Sequence, residues 1–214
     1  YYDYIYNNNQ LFDLVLTHNK KLLDKGENIK FIYFGTTWLH PDYQQIYKKE
    51  ELCSMILSSK TVCEGHRLRH EIVKHISNLN VDLFGHIYNP ISMGDDSDNP
   101  QSLTNEKILA LKNYHFSIII ENCKEDYYFD EKLLDSLLTG TIPIYWGCPS
   151  IHKFFNIDGF YIFNNVEELL TILSNITPEL YISKLGVIEE NFNEAKKYVD
   201  FKLNEKEILN LCEK

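Results

Sequence analysis

Apolar runs alternate along this chain with segments in which apolar residues recur every three or four positions. Such alternation is typical of βαβ units built on a mostly parallel sheet. The runs that predict strands are 11–17, 29–34, 53–57, 81–85, 116–120, 142–146 and, more weakly, 160–163. The periodic segments that predict helices are 20–25, 65–79, 131–138, 166–173 and 185–199. The pattern therefore predicts an α/β fold.

Three residues give local signals within this pattern. Asp130 can cap the helix that follows it, and Gly140 is placed to end that helix. Pro143 lacks a backbone N–H, so we expect it at the start of its strand or at a sheet edge.

A polar stretch at 40–51 separates the first strand pair from the rest and predicts a boundary between two lobes. We therefore expect residues 1–48 to be the end of a first lobe and residues 49–180 to form a second lobe. Residues 181–214 would supply C-terminal helices that pack back on the lobes.

The net charge of −10, from 21 basic and 31 acidic residues, argues against a general nucleic-acid binder. No apolar run approaches the roughly 18–20 residues of a transmembrane helix. Five cysteines, odd in number and widely spaced, predict reduced thiols. The start has neither a signal-peptide pattern nor an initiator methionine. We therefore expect a cytoplasmic protein, or a Golgi-type lumenal one if a membrane anchor precedes this segment.

The basic residues are 19 lysines and two arginines, and both arginines lie in one short segment with Gly65. Arg67 and Arg69 follow that glycine where a strand gives way to a helix, and a helix N-terminus favours anions. Glycine permits close backbone approach, and arginine offers paired donors to phosphate. Because the two arginines are two positions apart on a helix, they lie on different faces, and only one of them is expected to face the site. The alternative is surface pairing with the abundant carboxylates.

A second strand-to-helix junction carries Tyr128, Glu131 and Lys132. The carboxyl ends of parallel strands share one sheet edge, where open α/β folds bind ligands. A lysine there can hold a phosphate, and a glutamate can accept hydrogen bonds from ribose. The alternative is an ordinary capped helix with an exposed Glu–Lys pair.

Three segments carry a family resemblance: YHFSIIIENC at 114–123, DYYFDEKL at 126–133 and GTIPIYWGCP at 140–149. Together they resemble the donor-binding signature of the α1,3-fucosyltransferases, glycosyltransferase family 10, which reads Y-x-F…E-N, D-Y-x-T-E-K and G-T-x-P-(I/V)-Y-W-G-x-P. Residues 65–69 and the strand VDLFG at 81–85 are also similar to that family.

The resemblance implies a GT-B-type fold, here a Rossmann-like parallel-sheet donor lobe plus a remnant of the N-terminal, acceptor-binding lobe. It implies inverting transfer of fucose from GDP-fucose to a hydroxyl of a glycan acceptor, without a metal cofactor. Arg69 and Lys132 would contact the diphosphate, and Glu131 and Tyr128 the ribose and sugar side, with Asn122 nearby. Gly65 and Arg67 are secondary donor-site candidates. The family's base belongs to the N-terminal lobe, so we assign none here.

One position departs from the family pattern: Asp130 stands where the family has threonine. Aspartate still caps a helix but adds a negative charge near the expected diphosphate. This leaves the affinity for the donor, or its identity, open, and another GDP-sugar such as GDP-mannose remains an alternative.

Other interpretations stay open at this point. Cys63, His66 and His70 have zinc-ligand spacing with Cys53 as a fourth candidate, and the Asp-Ser-Asp at 96–98 matches an acidic metal motif or a solvated loop. Tyr145 and Trp146 can stack on a sugar or base, or pack in the core. The chain could also be a non-catalytic nucleotide-sugar or carbohydrate-binding module.

Overall fold

The computed structural model describes residues 2–32, 36–85, 88, 106–199 and 209–210. The described strands are β1 (Val15–Thr17), β2 (Ile29–Phe31), β3 (Glu51–Ile56), β4 (Asp82–Phe84), β5 (Tyr114–Ile120), β6 (Ile142–Trp146) and β7 (Tyr161–Ile162). The described α-helices are α1 (Tyr2–Asn8), α2 (Lys20–Leu23), α3 (Glu64–Ile76), α4 (Glu131–Leu137), α5 (Val166–Leu173), α6 (Pro178–Ile182) and α7 (Leu185–Val199).

Five strands form one parallel sheet in the order β4–β3–β5–β6–β7, and β1 pairs with β2 in a separate parallel pair. After β3 the chain moves outward to β4 and then returns to place β5 on the other side of β3. The sheet therefore changes direction of winding between β3 and β5. The predicted α/β fold with a Rossmann-like parallel sheet is confirmed.

The sheet is covered on both faces, which is why its central strands read as continuous apolar runs. On one face α3, α5 and α6 pack on alternate residues of β3, β5 and β6. On the other face α4 and α7 pack against Ile119 and Tyr145. Tyr145 and Trp146 are both buried, and each belongs to one of these clusters. The core interpretation of this pair is the one that the structure supports.

Helix α4 begins at the predicted residue and ends at Leu137, one residue before the predicted end. The Asp130 side chain accepts a hydrogen bond from the Lys132 N–H at 3.0 Å, and Gly140 follows the helix with φ of +68°. That conformation favours glycine because it has no Cβ.

The structure decides the place of Pro143 and the start of the first strand. Pro143 is the second residue of β6, near the start of a strand that runs between β5 and β7, so the edge alternative is wrong. The predicted strand 11–17 is strand only from Val15, because Leu11 and Phe12 are exposed and contribute no core face.

Lys49 is buried although it lies in the polar stretch that predicted the lobe boundary. Its ammonium donates to the Thr139 carbonyl at 2.7 Å, to Thr141 Oγ1 at 2.8 Å and to the Lys112 carbonyl at 3.1 Å. Burial lowers the pKa of Lys49, and these acceptors satisfy its donors. Lys49 therefore ties the start of β3 to the segments that precede β5 and β6.

The division at 1–48, 49–180 and 181–214 stays a prediction. No described helix is long and apolar enough to cross a membrane. The described cysteines at 53, 63, 123 and 148 are free thiols, as the sequence predicted for them.

Candidate nucleotide-sugar donor site

The candidate residues meet at the carboxyl ends of β3 and β5, where the winding of the sheet changes direction. Open α/β folds bind ligands at this place because the helices that follow the two strands diverge to opposite faces. Here α3 starts beside the end of β5: the Gly65 N–H donates to the Asn122 carbonyl at 3.1 Å. A Cβ at Gly65 would lie 1.7 Å from the Glu121 carbonyl oxygen, so a residue without a side chain is required. Gly65 thus allows the close contact between α3 and β5.

Of the two arginines, Arg69 is the one that enters the sheet edge. It is 6% exposed, and its Nη2 donates to the Ile120 carbonyl at the end of β5. Arg67 is exposed and donates to the Val62 carbonyl at 3.2 Å. Burial lowers the pKa of Arg69, and the nearby Glu121 opposes that shift, so the guanidinium stays charged. The helical spacing therefore separates the pair as predicted, and the described contacts leave Arg67 at the surface.

Lys132, in the first turn of α4, lies among three carboxyl groups. Its Nζ is 2.5 Å from Asp130 Oδ2, 3.4 Å from Glu131 Oε1 and 3.8 Å from Glu121 Oε2. Burial by itself would lower the pKa of Lys132, but the three carboxyl groups together raise it. The ammonium is therefore charged and already paired before any ligand arrives.

Glu121 is the charged residue that the sequence interpretation missed. It directly follows the apolar run of β5 and has no exposed surface. Its Oε1 accepts a hydrogen bond from the Asp130 N–H at 3.3 Å, while Oε2 has no hydrogen-bond partner among the described residues. A lone carboxylate directly after the isoleucine run that ends β5 was the available signal.

The remaining predicted residues surround this cluster. Tyr128 donates from its hydroxyl to Asp130 Oδ2 at 3.2 Å, and Glu131 is half-buried beside Lys132. Asn122 Oδ1 is buried without a hydrogen-bond partner among the described residues. The structure thus brings Asn122, Tyr128, Glu131 and Lys132 together with Arg69.

The first strand pair also reaches this site, through the loop that follows β1. The His18 and Tyr128 rings lie 5.5 Å apart, and Asn19 Nδ2 donates to Glu125 Oε1 at 2.7 Å. Burial lowers the pKa of His18, with Glu125 opposing the shift, so the imidazole is neutral at pH 7. No local sequence pattern indicates a role for His18, because its partner Tyr128 lies more than a hundred residues away along the chain.

The zinc interpretation finds no support in the described contacts. His66 Nδ1 accepts from the Cys63 N–H at 3.4 Å, His70 hydrogen-bonds to the Lys60 carbonyl at 3.1 Å, and Cys53 is buried within β3. Within the ranges that the structure covers, no three His, Cys, Asp or Glu side chains are grouped to hold a metal. The Asp-Ser-Asp at 96–98 lies outside the described residues.

The ionisation of Glu121 provides a first test of this geometry. Burial raises the pKa of Glu121 well above its ordinary range, and the negative charge of Asp130 adds to that shift against the opposing Lys132. In the unfolded chain a glutamate titrates near about 4.3, so between that pH and the folded pKa the native state binds the extra proton. The contribution of Glu121 to stability is therefore present below pH about 4 and is lost as pH rises through the folded pKa.

Glu121→Gln cannot ionise, so we expect this variant to gain stability relative to wild type as the pH is raised from 5 to 8. Urea unfolding at each pH measures the difference. Glu71→Gln is the matched control, because hydrogen bonds from Lys74 and His75 lower the pKa of this exposed carboxyl and reverse the sign. Parallel pH profiles for wild type and Glu121→Gln would show that Glu121 is ionised in the native state.

The doubly wound parallel sheet defines a class, the open α/β domains, and Arg69 and Lys132 lie at the winding change where such domains bind ligands. The family is then given by comparison with known proteins. The model for the glycosyltransferase family 10 (fucosyltransferase) C-terminal region matches residues 46–183, well over half of the chain. The chain belongs to glycosyltransferase family 10.

Individual relatives agree with this assignment. An α-(1,3)-fucosyltransferase of Helicobacter pylori is 33% identical over 104 residues, which are 46% of this chain and 22% of that protein. GDP-fucose protein O-fucosyltransferase 3 of Gallus gallus is 28% identical over 172 residues, which are 80% of this chain and 30% of that protein. The chain spans less than a third of the length of these curated relatives.

One solved structure shares the fold, in agreement with the predicted GT-B type. The GtfA/B complex aligns over 99% of this chain and 47% of its own, with a TM-score of 0.52 and 16% identity, which concerns the fold alone. A crystal structure of an α1,3-fucosyltransferase with GDP aligns over 70% of this chain and 47% of its own, with a TM-score of 0.48 and 23% identity.

Proposed function

We propose that this chain is the donor-binding part of an inverting, α1,3-fucosyltransferase-like enzyme that transfers fucose from GDP-fucose to a hydroxyl of a glycan acceptor. The observation that carries the proposal is that two cations lie at the end of β5, where Arg69 contacts the Ile120 carbonyl and Lys132 lies 3.8 Å from Glu121 Oε2. The two cations come from different helices, and membership of family 10 supplies the chemical context.

In the proposed reaction a carboxylate base removes the proton of the acceptor hydroxyl, whose oxygen attacks the anomeric carbon of fucose as GDP leaves. Negative charge builds on the departing diphosphate. Arg69 and Lys132, both largely withdrawn from water, are suited to stabilise that charge through charge-assisted hydrogen bonds. We assign no base among the described residues.

Tyr128, Asn122 and Glu131 would hold the nucleoside and sugar parts of the donor. The Asn122 Oδ1 and Glu121 Oε2 atoms are buried without hydrogen-bond partners among the described side chains. Such atoms are costly unless a ligand or water hydrogen-bonds to them. Ribose and fucose hydroxyls, which both donate and accept, are partners of the required kind.

A second acceptor class has its own support. The chicken GDP-fucose protein O-fucosyltransferase 3 aligns with 80% of this chain, against 46% for the bacterial α-(1,3)-fucosyltransferase. A serine or threonine hydroxyl of a protein is therefore the alternative acceptor. The chemistry at the donor site is the same in both cases.

Calorimetry against GDP-fucose, GDP-mannose, GDP and UDP-galactose tests the donor assignment. We expect heat from the guanosine ligands and none from UDP-galactose. Binding of no nucleotide at all would refute the donor site, and equal binding of all four would leave only a general phosphate site.

Incubation of the full-length protein with GDP-fucose then separates the two acceptor classes. One arm offers glycans that contain galactose and N-acetylglucosamine, and the other offers serine-bearing peptides. A protein that binds GDP-fucose but transfers to neither would be a binding module.

A further inference from the structure

Asp130 holds the lysine that the proposed diphosphate needs. Its Oδ1 accepts from the Lys132 backbone N–H at 3.0 Å, and its Oδ2 lies 2.5 Å from Lys132 Nζ and 3.2 Å from the Tyr128 hydroxyl. The carboxylate is 4% exposed, so little solvent screens it. The residue that caps α4 is therefore also the counter-ion of Lys132.

The charge of the cluster is balanced without a ligand. Burial and the charge of Asp130 favour the protonated form of Glu121 by raising its pKa. Burial alone would raise the pKa of Asp130 as well, but Lys132 and the hydrogen bond with Glu121 lower it, so Asp130 stays ionised. Lys132 is then paired with the carboxylates of Asp130 and Glu131, and the charges of both also act on Arg69. An arriving diphosphate meets two cations whose charge is already matched.

The two guanosine ligands of the proposed reaction differ in charge. In GDP-fucose the terminal phosphate is esterified by the sugar, whereas in free GDP this phosphate carries no ester and has a second ionisable oxygen. The second ionisation of such a phosphate lies near pH 6, so GDP carries about one more negative charge than GDP-fucose at pH 7.5. A fixed carboxylate close to the phosphates therefore repels GDP more strongly than GDP-fucose and lowers the affinity for GDP more.

We propose that Asp130 is a specificity-determining residue that weakens the binding of GDP more than that of the nucleotide sugar, and so favours release of the product. This inference rests on the proposed function. When the Lys132 ammonium turns to the diphosphate, it can bridge the Asp130 carboxylate and a phosphate oxygen. Two charge-assisted hydrogen bonds in series place the carboxylate roughly 5–6 Å from the phosphate. At that distance in a poorly screened site, one unit of charge changes a dissociation constant by about tenfold or more.

Asp130→Thr tests the inference, because threonine is the family's residue here and keeps a helix-capping oxygen. Calorimetry at pH 7.5 measures the dissociation constants of GDP, GDP-fucose and GDP-mannose. We expect Asp130→Thr to bind GDP about tenfold more tightly and to bind both nucleotide sugars more tightly by a smaller factor. In Asp130→Thr the ratio of the dissociation constant of GDP to that of GDP-fucose should be at least about threefold lower than in wild type. An equal change in the dissociation constants of GDP-fucose and GDP-mannose would show that the effect depends on charge and not on the identity of the sugar.

Two further variants keep the result interpretable. Asp130→Asn removes the charge with almost no change of shape and should reproduce the fall in the ratio. Asp158→Asn removes an equal charge from an exposed aspartate and should leave the ratio unchanged. Circular dichroism melting confirms that each variant is folded.

The outcomes separate this inference from the proposed function. If wild type binds the guanosine ligands and the ratio is the same in Asp130→Thr and Asp130→Asn, the role of Asp130 is refuted and the donor site stands. If wild type binds neither GDP nor GDP-fucose, both proposals fail. A lower inhibition constant for GDP in the full-length Asp130→Thr protein would support the release step directly.

Discussion

Arg69→Ala should lose the stabilisation that GDP or GDP-fucose gives to the wild-type protein. The guanidinium is buried at the ends of β3 and β5, where its charge acts on a diphosphate with little screening. A hydrogen bond to a charged group contributes about 1.5–3 kcal/mol, so the dissociation constant should rise roughly ten- to hundredfold. The measurement is the ligand-induced shift in melting temperature, taken against each variant's own ligand-free value.

The chain supplies its own control for this experiment. Arg67→Ala removes the same side chain from the same helix, but Arg67 is exposed and donates to the Val62 carbonyl. Arg67→Ala should keep the wild-type shift. Arg69→Lys keeps the charge but not the planar fork, so an intermediate shift is expected. Equal losses for Arg67→Ala and Arg69→Ala would show a diffuse electrostatic effect and no defined phosphate site.

Asp135→Asn should cause a large loss of stability. Asp135 lies in α4 and has no exposed surface. Its Oδ2 is 2.5 Å from Lys107 Nζ, and its Oδ1 accepts from Thr37 Oγ1 at 2.5 Å and from the Trp38 N–H at 3.2 Å. Removing one partner of a buried pair leaves an uncompensated charge and costs about 3–5 kcal/mol. Urea unfolding measures this loss, which is a large part of a typical domain's stability of about 5–15 kcal/mol.

An exposed ion pair provides the comparison for Asp135. Lys20 and Asp24 lie 3.0 Å apart with side chains 50% and 69% exposed, so Asp24→Asn should change stability by less than about 1 kcal/mol. The double variant Lys107→Met with Asp135→Leu should recover only part of the loss, because no buried charge remains but the Thr37 hydroxyl and the Trp38 N–H lose their acceptor. An effect of Asp135→Asn as small as that of Asp24→Asn would mean that water reaches the pair in the native state.

The contacts of Asp135 link segments that are distant in sequence. The Thr37–Trp38 segment and Lys107 both meet α4, the helix whose first turn carries Glu131 and Lys132. Lys107 also lies under the exposed Trp38 ring, 4.8 Å from its centroid. The position of the donor-site helix therefore depends on the segment that follows β2 as well as on the sheet.

The sequence alone determined the strands and helices in those segments where a single local pattern, such as an apolar run or a helix-capping residue, decides the structure. The apolar run before Glu121 predicts a strand because a strand buried on both faces needs no alternation. Asp130 and Gly140 set the ends of α4 through a side-chain oxygen and a left-handed backbone, which are properties of single residues. The spacing of Arg67 and Arg69 likewise fixed that they diverge, since two residues on a helix lie on different faces. The family followed from motifs whose order and spacing can be read along the chain.

Only the tertiary structure decided what the charged groups do. Glu121 and Lys49 are buried because strands and loops far apart in sequence close around them, and burial decides which carboxyl keeps its proton. His18 reaches Tyr128 only because β1 ends beside the donor site. A charge interacts through space and through the solvent that surrounding atoms exclude, and neither quantity is encoded in a local window of sequence. The sequence thus located the two cations of the candidate site, and the fold decided which carboxyl groups lie beside Lys132.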